Sequence, residues 1–188
     1  MKGHTKGDIP YGREAQLRRL CFLIPIVLLV GCANENPTKL DVKLVDQEGD
    51  SVGTIGIQEQ ASGVKLTLNL KNLLAGEHAI HITEKGECKG PDFKTAGKDL
   101  NPDKKKHGLL NPEGAHAGDL PNIIVKDNGK VKGELMAPNV TMLEGKNSLF
   151  TKDGTSIVIY ENKDDGMTQP DGDVGERIAC GKINKDKK

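Results

Sequence analysis

The sequence predicts an all-β domain, and three observations carry that expectation. Short runs alternate between apolar and polar residues; Gly accounts for 23 of 188 residues; and no segment carries the apolar period of an amphipathic helix. Alternation with a period of two places apolar side chains on one face of a strand. Frequent Gly supplies the many turns such a domain needs. With no Trp and only 3% aromatic residues, the core must be aliphatic.

Eight strands are expected, in order. Leu40 to Val45 alternates and runs into the turn Gln47-Glu48-Gly49-Asp50. Val52 to Ile57 is the second run, and Val64 to Leu70 is the clearest strand in the chain. Glu77 to Thr83 is the fourth. Asn122 to Lys126, the turn Asp127-Asn128-Gly129 and Lys130 to Met136 form a hairpin. Ser156 to Glu161 and Arg177 to Ile183 complete the set.

The segment ahead of these strands has a different character. Arg18 and Arg19 precede an apolar run from Cys21 to Val30, too short to span a bilayer and typical of a secretory leader. The run ends Leu29-Val30-Gly31-Cys32, which resembles a bacterial lipobox. That resemblance implies a leader over residues 1–31, cleavage before Cys32, lipidation of its thiol and a short tether to residue 38. The domain proper is expected over 39–188. Two or more acyl chains give stable anchoring, so the expected location is the cell membrane, on its extracytoplasmic side. A plain leader with a chance cysteine is the alternative reading.

Five Lys/Arg and two Asp/Glu leave with the leader, so 22 basic and 25 acidic residues remain, a net charge of −3. A balance of this kind gives no case for a nucleic-acid binder, which needs a basic face. Cys21 leaves with the leader and Cys32 takes lipid. Cys88 and Cys180 remain as one pair available for a disulfide in an oxidising compartment. Two free buried thiols are the alternative.

Residues 84–120 hold six Gly and three Pro with no strand or helix pattern. A loop this long in a compact domain points to function or disorder, and order requires that it be tied down. Of five His, His4 lies in the leader and the other four fall between residues 78 and 116. Asp99, His107, His116 and Asp119 sit inside a 21-residue window of the loop. Two imidazoles and two carboxylates can form a tetrahedral zinc site, although surface His and Asp are common in polar loops. On the fourth strand, His81 and Thr83 share one face. His78 shares the other with Ile80 and Ile82, which reads as a hydrogen-bonded core histidine.

Taken together, these segments resemble the Cu/Zn superoxide dismutases from about Leu40 to Ile183. Gly76-Glu77-His78-Ala79-Ile80-His81-Ile82 followed by Glu84-Lys85-Gly86-Glu87-Cys88 resembles the family's copper strand and first disulfide cysteine. Ala96-Gly97-Lys98-Asp99-Leu100-Asn101-Pro102, His107-Gly108 and His116-Ala117-Gly118-Asp119-Leu120 resemble its zinc loop. Gly175-Glu176-Arg177-Ile178-Ala179-Cys180-Gly181 resembles the terminal motif with the active-site arginine and second cysteine. The resemblance implies an eight-stranded Greek-key β-barrel or sandwich, a Cys88–Cys180 disulfide, and zinc held by Asp99, His107, His116 and Asp119. Asp99 stands where the family has a histidine bridging zinc and copper. Asp164 matches the aspartate that links the two metal sites.

At the copper positions His81 remains, while Thr83, Asp99 and Tyr160 replace the other three histidines. Zinc is therefore the expected cofactor and a functional copper is not. Three readings follow. The first is a non-catalytic, dismutase-like lipoprotein with structural zinc. The second is a working dismutase acting on superoxide, with Arg177 attracting the anion and copper held by His81 and donors such as Tyr160, His78 or Glu84. The third is an envelope metal buffer. If catalysis is absent, Arg177 is expected to anchor a loop. The expected partner is the membrane, and the family likeness adds a homodimer as an option.

Overall fold

The computed structural model describes residues 38–185. The leader, Cys32 and most of the tether lie outside them. The strands are β1 (Lys39–Asp46), β2 (Ser51–Gln60), β3 (Gly63–Leu70), β4 (Gly76–His78), β5 (Ile80–Thr83), β6 (Ile123–Val125), β7 (Val131–Ala137), β8 (Thr155–Tyr160) and β9 (Arg177–Ile183). Each of the eight expected strands is present, and the fourth divides in two at Ala79. The physical reason is a change of partner. β4 pairs with β6, whereas β5 pairs with β8. Between them Ala79 N–H donates to the Asn162 carbonyl (2.8 Å) and its own carbonyl accepts from Tyr160 N–H (3.0 Å). The chain turns a corner there without leaving a backbone group unpaired.

Seven strands form one antiparallel sheet in the order β5-β8-β9-β1-β2-β3-β7. β4 and β6 form a separate pair. β4 leads into β5 at one edge of the sheet, and β6 leads through the Asp127-Asn128-Gly129 turn into β7 at the other. The small pair therefore links the two edges of the curled sheet through the chain.

The alternation read from the sequence is the alternation of burial. Val42 and Leu44 of β1, Leu66 and Leu68 of β3, Ile80 and Ile82 of β5, and Ile157 and Ile159 of β8 meet in the main core. Burying each such side chain contributes roughly 1.5–3 kcal/mol. β8 is buried on both faces. Its outward Val158 and Tyr160 pack with Ala79, Phe93, Ala96, Val174 and Cys180 in a second cluster. That cluster exists because the two long connections, 84–122 and 161–176, lie over the outside of the sheet.

Both connections are anchored. Cys88 and Cys180 form a disulfide, with Cα atoms 5.7 Å apart. Arg177 donates to the Phe93 carbonyl (2.8 Å) and the Gly97 carbonyl (2.6 Å). The long loop contains one 3-10 turn, Lys94–Ala96, between these anchor points.

Candidate metal centre

The edge of β5 organises the loop. Leu100 N–H donates to the Ile82 carbonyl (2.8 Å), Ile82 N–H to the Gly118 carbonyl (2.9 Å), and Gly118 N–H to the Leu100 carbonyl (2.9 Å). Asp119 thereby stands opposite His81, and Asp99 opposite Thr83. Only Gly fits at 118, because a Cβ there would overlap the Ile82 carbonyl oxygen. His107 and His116 reach in from the intervening turns.

All four predicted ligand residues converge. His107 Nδ1 lies 3.2 Å from Asp119 Oδ1 and 3.6 Å from Asp99 Oδ2. His116 Nδ1 lies 3.2 Å from Asp99 Oδ2 and 3.3 Å from Asp119 Oδ1. All four donor atoms lie within 4.8 Å of one another, and all four residues are buried. Zinc bonds of about 2.0–2.1 Å in a tetrahedron place ligand atoms about 3.3–3.4 Å apart. The four His–Asp separations lie close to that value, so these residues can hold a metal ion.

Hydrogen bonds around these donors fix their orientation. Asp119 Oδ2 accepts from the backbone N–H of Gly108 (2.8 Å) and of His116 (3.0 Å). Asp164 joins two histidines, with His107 Nε2 3.0 Å from Oδ1 and His81 Nε2 3.1 Å from Oδ2. A proton on each Nε2 leaves Nδ1 to face a metal. Asp164 is itself gripped by Asn122, whose Nδ2 donates to its carbonyl (2.8 Å) and whose Oδ1 accepts from its N–H (2.9 Å). Asn111 Nδ2 donates to the His107 carbonyl (3.1 Å). Neither asparagine was singled out from sequence. Both sit in polar loops, where an Asn carries no periodic signal.

The electrostatics are those of paired buried charges. Burial works against charge on His107, but Asp119, Asp164 and Asp99 outweigh it and push the imidazole up to about 12. Burial opposed by Asp119 and Asp99 leaves His116 at about 9. Burial opposed by Asp164 and Asp99 does the same for His81, at about 9. In return, Asp119 is brought down to about 2 despite its burial, chiefly by hydrogen bonds from His107 and His116. Asp99 and Asp164 also lie below the usual carboxylate range, as the imidazoles beside them overcome desolvation.

The remaining predicted residues surround His81. Its Nδ1 is buried, 3.3 Å from Asp99 Oδ1 but without hydrogen-bond alignment, and has no partner among the described residues. The Tyr160 ring lies 5.0 Å from the His81 ring, centroid to centroid. Burial and the Asp99 charge push the Tyr160 phenol upward. Thr83 Oγ1 faces the Ser156 carbonyl at 3.4 Å. His78 is the core histidine the alternation predicts, with Nδ1 2.8 Å from the Tyr160 carbonyl oxygen and Nε2 3.0 Å from that of Leu74. Both ring nitrogens of His78 are thus engaged away from His81. Asp99, Tyr160, Arg177 and Glu84 border a cleft of about 910 Å³ whose rim also carries Lys98 and Lys152. Arg177 lies 5.8 Å from the Tyr160 ring centroid.

Comparison with known proteins gives one consistent answer. The family model described as copper/zinc superoxide dismutase (SODC) matches residues 51–183. "Superoxide dismutase [Cu-Zn] 2" of Aquifex aeolicus is 46% identical over 159 residues, covering 84% of this chain and 93% of that protein. The superoxide dismutase-like protein YojM of Bacillus subtilis is 42% identical over 145 residues, covering 76% and 74%. The crystal structure of a SOD-like protein from Bacillus subtilis superposes with a TM-score of 0.74 at 40% identity, covering 76% of this chain and 97% of that one.

Proposed function

The chain belongs to the copper/zinc superoxide dismutase family, and from that premise we propose that it is a zinc-binding, dismutase-like lipoprotein that holds no functional copper and does not dismute superoxide. The observation that carries this reading is the composition of the copper position. His81 is the one imidazole there, with Thr83, Asp99 and Tyr160 at the other three places. A hydroxyl, a carboxylate and a high-pKa phenol are poor substitutes for imidazole toward copper. His78 is no substitute either, since both its nitrogens face backbone carbonyls. Dismutation needs a metal that changes oxidation state, whereas bound zinc supplies charge and geometry without electron transfer.

Asp99, His107, His116 and Asp119 are the proposed zinc ligands, with Asp164 orienting His107. The near-tetrahedral spacing of their donor atoms supports that assignment. Zinc at this place clamps the 84–122 connection against β5. Arg18, Arg19, the apolar run after them and the Leu29-Val30-Gly31-Cys32 sequence support a lipid anchor on the extracytoplasmic side of the cell membrane.

One observation favours a second reading, an active dismutase with an unusual copper site. Arg177 is pinned at the cleft beside Tyr160, where a cation would draw an anion inward. The two readings separate in one experiment, the metal content of residues 33–188 after exposure to zinc and copper together. About one zinc and no tightly held copper per chain is the expected result. One zinc with one copper, and dismutase activity above that of free copper, refutes the proposal.

A further inference from the structure

The 161–176 connection donates no ligand to the proposed zinc site, yet one of its side chains grips a ligand's backbone. Gln169 Oε1 accepts from His107 N–H (2.9 Å) and Gln169 Nε2 donates to the His107 carbonyl (3.0 Å). A single amide thus pairs with both backbone polar groups of a residue 62 positions away. We infer that Gln169 is a positioning residue for the metal site, setting the aim of His107 Nδ1 through its main chain. The inference rests on the assignment of His107 as a zinc ligand.

Local sequence presents the amide in this pose. Asp165 Oδ1 accepts from the N–H groups of Met167 (2.9 Å) and Thr168 (2.8 Å), and Thr168 Oγ1 donates to Asp165 Oδ2 (2.6 Å). This is a side-chain-capped turn. Gly172 N–H returns to the Thr168 carbonyl (2.7 Å). Gln169 Nε2 also donates to the Met167 carbonyl (2.9 Å), which folds the side chain back over its own turn. Gly172 then lies against the Asp164–His107 hydrogen bond, where a Cβ would overlap Asp164 Oδ1. His107 is held in this way at its ring by Asp164 and at its main chain by Gln169, both from the same connection.

Gln169 itself is exposed, so replacing it removes little core packing. That makes it a clean probe of aim rather than of folding. Pairing of this kind acts on metal affinity as other groups behind a ligand do, by roughly 10- to 100-fold. It also links zinc to the cleft wall, because Gln169 and its neighbours Pro170 and Asp171 line the cleft beside Tyr160.

The test compares the full chain with Gln169→Met, which keeps length and loses both hydrogen bonds to His107 along with the one to Met167, and with Gln169→Ala. Zinc release to a chromophoric chelator is timed, and the visible absorption of the cobalt-substituted protein is recorded. Release about 10- to 100-fold faster in both variants, with altered cobalt bands, is the expected result. A purely structural loop residue would leave the cobalt bands unchanged once the protein is folded. Unchanged release and unchanged bands in Gln169→Met, beside a wild type that holds zinc tightly, overturn this inference alone. A wild type that takes up no zinc overturns the ligand assignment and this inference together.

Discussion

Loading zinc into the metal-free protein at pH 7 should release about two protons per ion. His107, at about 12, and His116, at about 9, are both cations at that pH without metal. Each must give up its Nδ1 proton to bind, while Asp99 and Asp119 are already ionised. His107 keeps its Nε2 proton on Asp164. Two protons released means that apparent zinc affinity falls about a hundredfold for each pH unit below 7, or about 2.7 kcal/mol at 1.36 kcal/mol per unit. Calorimetric titration in two buffers of different ionisation enthalpy counts the protons. Chelator competition between pH 6 and 7 gives the slope independently. One proton or fewer per zinc, or a slope near tenfold or below, would refute the picture of two imidazolium ions held by three carboxylates.

The metal-free protein should show the opposite pH dependence. Its raised histidines add stability in full below pH 6.5 that is lost as pH rises, through about 9 for His81 and His116 and through about 12 for His107. Its depressed carboxylates (Asp99, Asp119 and Asp164) add stability above pH 3.8 that is lost as pH falls. Their combined contribution to the metal-free Tm is therefore greatest between those two values, and a metal-free Tm that climbs from pH 6.5 to 9 would contradict the signs. Replacing Cys88 and Cys180 by Ser opens a cross-link between residues 92 apart, worth roughly 4–5 kcal/mol in the chain-entropy model. At about 2–4 °C per kcal/mol for a domain of this size, Tm should drop by roughly 8–20 °C, and a loss under about 2 °C by calorimetry would reject that account. The triple change Thr83→His, Asp99→His and Tyr160→His should raise copper occupancy and dismutase activity together. Copper content equal to that of the parent would show that these are not the copper positions.

Much of the fold was legible in the chain. Alternation located all eight strands because each has one face in an aliphatic core, as in Val42 and Leu44 against exposed Lys43. It also placed His78 inward and His81 outward. It could not divide the fourth strand at Ala79, because residues on either side keep the same alternation while their partners change from β6 to β8. The residues of the candidate metal site stood out by type and clustering, and the family likeness named them. Two roles were open for Arg177, and its bonds to Phe93 and Gly97 make the loop-anchoring one real.

What the sequence by itself determined is whatever short-range pattern encodes: strands, turns, the cysteine pair and the residue types offered to a metal. The tertiary structure alone decided how those residues meet. Asp99 and Asp119 face each other across His107 and His116 because two loop stretches pair with β5 through Gly118. Asn122 grips Asp164 and Gln169 grips His107 across separations of 42 and 62 residues. A side-chain amide in a polar loop has no periodicity to betray it. Its partner is set by how the two connections are draped over β8, and only the curled sheet beneath them determines that.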